Sequence, residues 1–339
     1  MNRTISIIIQ FLCLGIVLFS CNCKDNAQDN SLTKIPEGFP GIAYPTDNNF
    51  SIERWTLGKK LFYDPILSID SSVSCASCHK QEYAFADNLP KTPGVFDRAG
   101  KRNAPTLTNV AYLPHVLFEG SVPTLEMQIL VPIQEHNEFN HNIVAISNAL
   151  NEDESYVDLS LKAYNRKIDP FVITRAISNF QRTLISGNSA FDKYEYQNKP
   201  TALNESQKRG RTLFFSNKTN CFECHAGPLF TDFSFKNNGL KSVYEDEGRY
   251  HFTGKTEDLN TFKVPTLRNV EVTAPYMHDG SFPSLEAVVE HYNSGGFNHQ
   301  NKNEFVKPLL LSEQEKTDLI NFLKSLTDWE FIQNPVFQP

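Results

Sequence analysis

Apolar positions recur every three to four residues along most of the chain and seldom alternate, so the pattern predicts helices and few strands. Between Phe171 and Ile185, Val172, Ala176, Ile177, Phe180 and Leu184 fall on one helical face. Asn204-Glu205-Ser206-Gln207 is a capping box opening a second helix. Ser312-Glu313-Gln314-Glu315 opens a third, with Leu319, Ile320, Leu323 and Leu326 on one side. The first apolar run has another character. Arg3 precedes a mostly apolar core from Ile5 to Phe19, and Leu18-Phe19-Ser20-Cys21 resembles a lipoprotein box in which Phe19 fits poorly. Residues 1–20 are expected to be a signal peptide of lipoprotein type, with Cys21 as lipid anchor. Ordinary cleavage nearby and an uncleaved anchor are the alternatives, and all three export the body of the chain. Residues 21–48 are polar with Gly and Pro, and are expected to be a flexible tether.

The pattern also occurs twice. Leu57-Gly58-Lys59-Lys60-Leu61-Phe62 is echoed by Arg209-Gly210-Arg211-Thr212-Leu213-Phe214. Asn103-Ala104-Pro105-Thr106-Leu107-Thr108-Asn109-Val110 is echoed by Lys263-Val264-Pro265-Thr266-Leu267-Arg268-Asn269-Val270. Phe118-Glu119-Gly120-Ser121 and His278-Asp279-Gly280-Ser281 come next at equal intervals, and each copy then enters a helix at Thr124 or Ser284. This is duplication of a domain. A length of 339 residues suits two domains, with a break near Asn198 to Leu203, hence 49–200 and 201–339.

Within each copy lies the chemistry. Cys75-Ala76-Ser77-Cys78-His79 and Cys221-Phe222-Glu223-Cys224-His225 are complete C-x-x-C-H motifs, the attachment signature of covalent c-type haem. Two thiols bond one porphyrin while the adjacent histidine meets the iron. Isolated redox dithiols or zinc half-sites are the bland alternative, but neither needs the fifth-position histidine twice. Of seven cysteines, four serve the motifs, Cys13 lies in the apolar leader, and Cys21 and Cys23 flank its end, so none remain for a disulfide in the folded body. The 26 phenylalanines can build haem pockets, and long Pro- and Gly-containing loops after each motif suit backbone wrapped around a flat cofactor. A net charge of −7 without a basic run argues against nucleic acid.

With both motifs go Arg102-Asn103-Ala104-Pro105-Thr106, Thr174-Arg175-Ala176-Ile177, Ala190-Phe191-Asp192-Lys193-Tyr194 and Pro275-Tyr276-Met277-His278-Asp279-Gly280. In these pieces and their order the chain resembles the bacterial diheme cytochrome c peroxidases, whose superfamily also holds the diheme enzyme that matures methylamine dehydrogenase. The likeness runs from about Trp55 to Leu326. It implies a mostly α fold of two tandem cytochrome c-like haem domains with long irregular loops. It also implies an exported enzyme of the periplasm or outer envelope. Such an enzyme reduces hydrogen peroxide with electrons from a small cytochrome or cupredoxin, and the resemblance leaves room for a homodimer.

Differences between the copies divide the labour. Met277 lies where the family places the distal methionine ligand of the electron-transfer haem, with His278 as local competitor. Leu117, at the corresponding place in the first copy, cannot bind iron. The first haem is thus expected to be the reaction site. Family peroxidases often carry a blocking histidine in the loop after the first motif, but none lies between Lys80 and Arg102. The expectation is an open sixth position without reductive activation, with Tyr83 or a lysine as substitute ligands. The family's catalytic Gln and Glu match Gln128 and Glu138, and Glu135 and His136 are the runners-up. Phe118 stands where members commonly have Trp, which puts radical hopping there in doubt, and Trp55 and Trp329 do not match that site. Asn103 matches a residue that helps bind calcium, with carbonyls of Thr256 to Asn260 to complete the site. Two other functions remain in play. One is a diheme oxidase acting on aromatic residues of a partner protein, a branch in which Tyr replaces the distal Met. The other is a plain electron carrier, which needs both irons closed.

Overall fold

Two helix crossings organise the chain, and each is permitted by a glycine. In the computed structural model, which describes residues 31–339, the Ile52–Tyr63 helix crosses Pro170–Gln181 at Gly58. There a Cβ would stand 1.8 Å from the Ala176 carbonyl oxygen. The Glu205–Phe214 helix crosses Glu313–Lys324 at Gly210, where a Cβ would stand 1.9 Å from the Asp318 oxygen. Any side chain at either position forces the helices apart. Each crossing nucleates an aromatic core. Phe62 packs on Phe180 with ring centroids 5.0 Å apart, and Phe214 packs on Phe322 at 5.1 Å. The repetition read in the sequence is therefore repetition of structure.

Residues Ile35–Pro339 close into one compact unit. Among the described residues the only ladder is the antiparallel pair Phe235–Lys236 and Phe262–Lys263, so the mostly helical expectation holds. Both anticipated capping boxes form. Asn204 and Gln207 exchange two hydrogen bonds of 2.9 Å, and Ser312 does the same with Glu315 at 3.3 and 2.9 Å. The expected signal peptide, Cys21 and residues 22–30 of the tether lie outside the described residues.

The last residue of the expected tether is interior. Asn48 is fully buried. Its amide donates to the Glu126 carboxylate at 2.9 Å and the Arg175 carbonyl at 3.0 Å, while its carbonyl oxygen accepts from the Tyr164 hydroxyl at 3.2 Å. Glu126 forms the buried pair of this region with Arg182, at 2.5 and 2.9 Å. Burial opposes ionisation of Glu126, but Arg182 and Asn48 outweigh it and hold the carboxyl at about 2. That stabilisation is complete above the ordinary value of 4.5 and is lost as pH falls through about 2. Glu126→Gln leaves the buried Arg182 cation uncompensated. We expect a loss of about 3–5 kcal/mol in urea unfolding at neutral pH.

Candidate functional site

Each cysteine motif is a tight turn that delivers its histidine into one shared cavity. In the first, Ser74 caps the Cys75–Cys78 helix and its N–H donates to the Ser77 hydroxyl at 3.0 Å. The second forms a 3-10 turn, Cys221–Glu223, after the left-handed Asn220. All four cysteines are free. Burial pushes the Cys75 and Cys78 thiols up to about 12 and Cys221 to about 11. A redox dithiol needs the opposite shift, toward thiolate.

The histidines are held alike. His79 Nδ1–H donates to the Phe85 carbonyl at 3.0 Å, and His225 Nδ1–H donates to the Phe230 carbonyl at 3.0 Å. Burial lowers both imidazoles from their usual value, so each is neutral with Nε2 left for a ligand. Phe85 and Phe230 adopt φ of +58° and +52°, a costly backbone for a bulky residue. The strain turns their carbonyls onto the imidazoles. Neighbouring carbonyls are fixed as well, Ala84 by the Thr106 hydroxyl at 2.5 Å and Leu229 by the Thr266 hydroxyl at 2.6 Å.

The cavity has a volume of about 1410 Å³, and His79, His225, Cys78, Cys221 and Cys224 all line it. Paired thiols, neutral histidines oriented from behind and one large apolar-walled space suit two covalently attached haem groups.

Leu117 and Met277 occupy equivalent turns in that wall. Their φ angles are +67° and +76°, each turn is closed by a bridge (Val116 to Val122, Tyr276 to Phe282), and each leads to a left-handed glycine, Gly120 or Gly280. The Met277 sulfur accepts from the Asn238 amide at 3.3 Å. His278 instead stacks on Phe262, centroids 3.8 Å apart, and burial lowers its imidazole to about 4.

Gln128 and Glu138 both line the cavity. Gln128 ends the short Leu125–Gln128 helix, which Thr124 caps and the Glu126–Arg182 pair anchors. Glu138 is clamped through its backbone. Its N–H donates to the Glu135 carbonyl at 3.0 Å and its carbonyl accepts from Val95 at 2.9 Å. Gly94 lies so close that a Cβ would meet the Asn137 oxygen at 2.1 Å. Burial, with Glu135 nearby, raises the Glu138 carboxyl to about 6. Of the runners-up, Glu135 also lines the cavity and pairs with the exposed Lys101 at 3.3 Å, and His136 meets Arg98 at 3.3 Å. Of the substitute ligands, Tyr83 does not line the cavity and Lys80 pairs with Asp87 at 2.7 Å, whereas Lys91 and Lys101 do line it.

Phe118 lies at the join of the copies, where its carbonyl accepts from Lys263 N–H at 2.7 Å. Arg102 sits over both Phe118 and Phe262, at 5.9 and 5.5 Å, and forms a fork to Asp246 at 2.6 and 2.9 Å. Trp55 is a core residue bonded to Thr183 at 2.9 Å, and Trp329 is half exposed. The Asn103 amide donates to the Leu89 carbonyl at 2.9 Å. The carbonyls of Thr256 and Leu259 accept from Asn301 at 2.7 and 3.1 Å, and that of Asn260 accepts from Asn237 at 2.9 Å. Among the described residues no three His, Cys, Asp or Glu gather as a metal site.

Known proteins match this arrangement over most of its length. A family model described as di-haem cytochrome c peroxidase matches residues 52–200. The methylamine utilization protein MauG of Methylophilus methylotrophus is 34% identical over 86% of this chain and 87% of its own. The cytochrome c551 peroxidase of Nitrosomonas europaea is 33% identical over 84% of this chain and 83% of its own. The crystal structure of a MauG-like protein associated with microbial copper homeostasis superposes with a TM-score of 0.85 at 32% identity, covering 90% of this chain and 97% of that one. By site geometry and by these likenesses, the chain belongs to the di-haem cytochrome c peroxidase family of haem-dependent oxidoreductases.

Proposed function

We propose that this chain is an exported peroxidase, built of tandem haem domains at 49–200 and 201–339. It takes two electrons from a small cytochrome or cupredoxin, and with two protons converts hydrogen peroxide to two waters. The Glu138 carboxyl carries the reading. It lies in the wall of the cavity that His79 enters, and burial raises it to about 6, near the value that proton exchange at neutral pH requires. Haem held by Cys75, Cys78 and His79 supplies the redox chemistry. The chain supplies proton handling. Glu138 accepts the proton of one peroxide oxygen and returns it to the other, so the O–O bond breaks toward water, while the Gln128 amide steadies the oxygen on which charge develops.

Met277 is the residue we assign to the iron of the second haem, since it lines the cavity in the turn equivalent to Leu117 while the His278 ring is stacked on Phe262. Leu117 leaves the first haem open. The loop after the first motif reinforces this, because it carries no histidine and is tied by Val95 N–H to the Glu138 carbonyl at 2.9 Å. The calcium ion that the resemblance implies at Asn103 stays part of the reading; the amides of Asn237 and Asn301 hold the carbonyls of Thr256, Leu259 and Asn260 in place. Export to the periplasm or outer envelope, and anchoring at Cys21, rest on the apolar leader.

Partner-protein oxidation is the second reading, favoured by the likeness to MauG. Against it stands Met277 itself, where that branch has Tyr; the adjacent Tyr276 turns its hydroxyl to the Val270 carbonyl at 2.8 Å. The deciding experiment adds peroxide to fully oxidised and to half-reduced protein, following the haem spectrum and donor oxidation. We expect reaction in both states. Turnover only after half-reduction overturns the open site, and no reaction in either state leaves the electron carrier.

A further inference from the structure

Each half of the duplication ends in a segment that leaves its own core and packs behind the other half's histidine. The Ala190–Glu195 helix follows Pro170–Gln181 in the first copy. Its Phe191 nonetheless packs on Phe230 at 5.0 Å and on Phe322 at 5.8 Å, in the second. Asp192 anchors it there through the fully buried Arg268 at 2.6 Å, whose guanidinium also donates to the Pro228 carbonyl at 2.7 Å. Conversely, the segment from Trp329 to Phe337 follows the Glu313–Lys324 helix of the second copy. Its Phe331 and Phe337 pack on Phe85 at 5.8 and 6.2 Å, in the first. Gln81 donates to the Asn334 carbonyl at 2.8 Å, and the Tyr63 hydroxyl to the Phe337 carbonyl at 2.5 Å.

The departures meet at one buried point. Asp328 accepts from the backbone N–H groups of Gly187 and Asn188 at 3.0 and 2.9 Å. Left-handed Asn109 and Asn269 pin the two hinges, through Ser186 N–H at 2.9 Å and Asp328 N–H at 2.8 Å.

What the tails touch matters more than the exchange itself. Phe85 and Phe230 are the residues whose carbonyls accept the Nδ1–H of His79 and His225, and both hold a left-handed backbone that persists only when packing dictates it. We propose that the tails are crossed positioning devices. Trp329–Phe337 sets the proximal histidine of the first haem by clamping Phe85, and Ala190–Glu195 sets that of the second by clamping Phe230. The strength of the Nδ1–H to carbonyl bond tunes how strongly the imidazole donates to iron, and with it the reduction potential. The proposal rests on haem at both motifs and not on peroxide as substrate.

The test uses full-length protein with both haems loaded. Phe337→Leu and Phe191→Leu are compared by spectroelectrochemical midpoint potentials and by the iron–histidine stretch of the reduced protein. The expected pattern is crossed: Phe337→Leu shifts both readouts of the first haem alone, and Phe191→Leu those of the second alone. Gln81→Ala, which loosens the C-terminal tail without emptying the core, should shift the first haem in the same direction and guards against a folding failure of Phe337→Leu. Shifts confined to the variant's own copy, equal shifts at both haems, or no shift at either would each overturn the proposal.

Discussion

Glu138→Gln should lower peroxide turnover by roughly 10²–10⁴-fold, the usual worth of a positioned acid–base group, while leaving both haem spectra in place. The amide is nearly isosteric, and the segment is held by its backbone through Val95 and Glu135, so the geometry survives. The wild-type pH profile follows from the same carboxyl. Raised to about 6, it is a competent base only above that pH, so kcat/KM for peroxide rises as pH climbs through about 6.

Stability runs the other way. Between the ordinary value of 4.5 and about 6 the folded protein holds a proton that the unfolded chain has released, so stability declines across that window and the cost is constant above it. At 1.36 kcal/mol per pKa unit that cost reaches about 2 kcal/mol. Glu138→Gln should therefore be the more stable protein at neutral pH and should match wild type near pH 4 in urea unfolding. An inactive variant that gains stability is hard to explain as a damaged fold. Retained turnover removes Glu138 from the mechanism.

Leu117→Met is the second large effect. It places a thioether in a turn whose φ, closing bridge and following glycine all match those at Met277. The swap conserves volume and should cost under about 1.5 kcal/mol. We expect the first haem to become six-coordinate, with the oxidised EPR spectrum passing to two low-spin species and reaction with peroxide in the oxidised state lost. If Met277 holds the second iron as proposed, the mirror change Met277→Leu should open that haem and lower its potential, which would starve the first of electrons. A Leu117→Met protein that keeps a high-spin haem and full turnover would show that the turns differ in a way their backbones do not reveal.

Much of this was legible in the order of residues alone. Capping boxes are local in sequence, so Asn204–Gln207 and Ser312–Glu315 announced themselves. Duplication made the turn glycines and the inequality of Leu117 and Met277 visible by alignment of the chain with itself. What stayed hidden depends on partners distant in sequence or on backbone atoms. The carbonyls of Phe85 and Phe230 leave no side-chain signature, and a left-handed Phe runs against propensity. Glu126 repeats as Glu286 and Arg182 as Lys324, but only the first pair is buried, and nothing in the sequence marks that difference. Asn48 sits in a polar stretch whose composition suggests a tether, yet it is a buried hub of hydrogen bonds. Sequence adjacency assigns Ala190–Glu195 and Trp329–Ile332 to their own copies, whereas packing sends each across to the other.

That crossing has a consequence for how the protein is made. The cysteines of the first motif are synthesised early, but the wall behind their histidine includes Phe331 and Phe337. The second pocket draws its borrowed wall from Phe191, which is made before Cys221. On a chain emerging from its N-terminus, the pocket that begins first is therefore completed last. A cut between the copies removes part of the packing behind each histidine, Phe331 and Phe337 from the first pocket and Phe191 from the second.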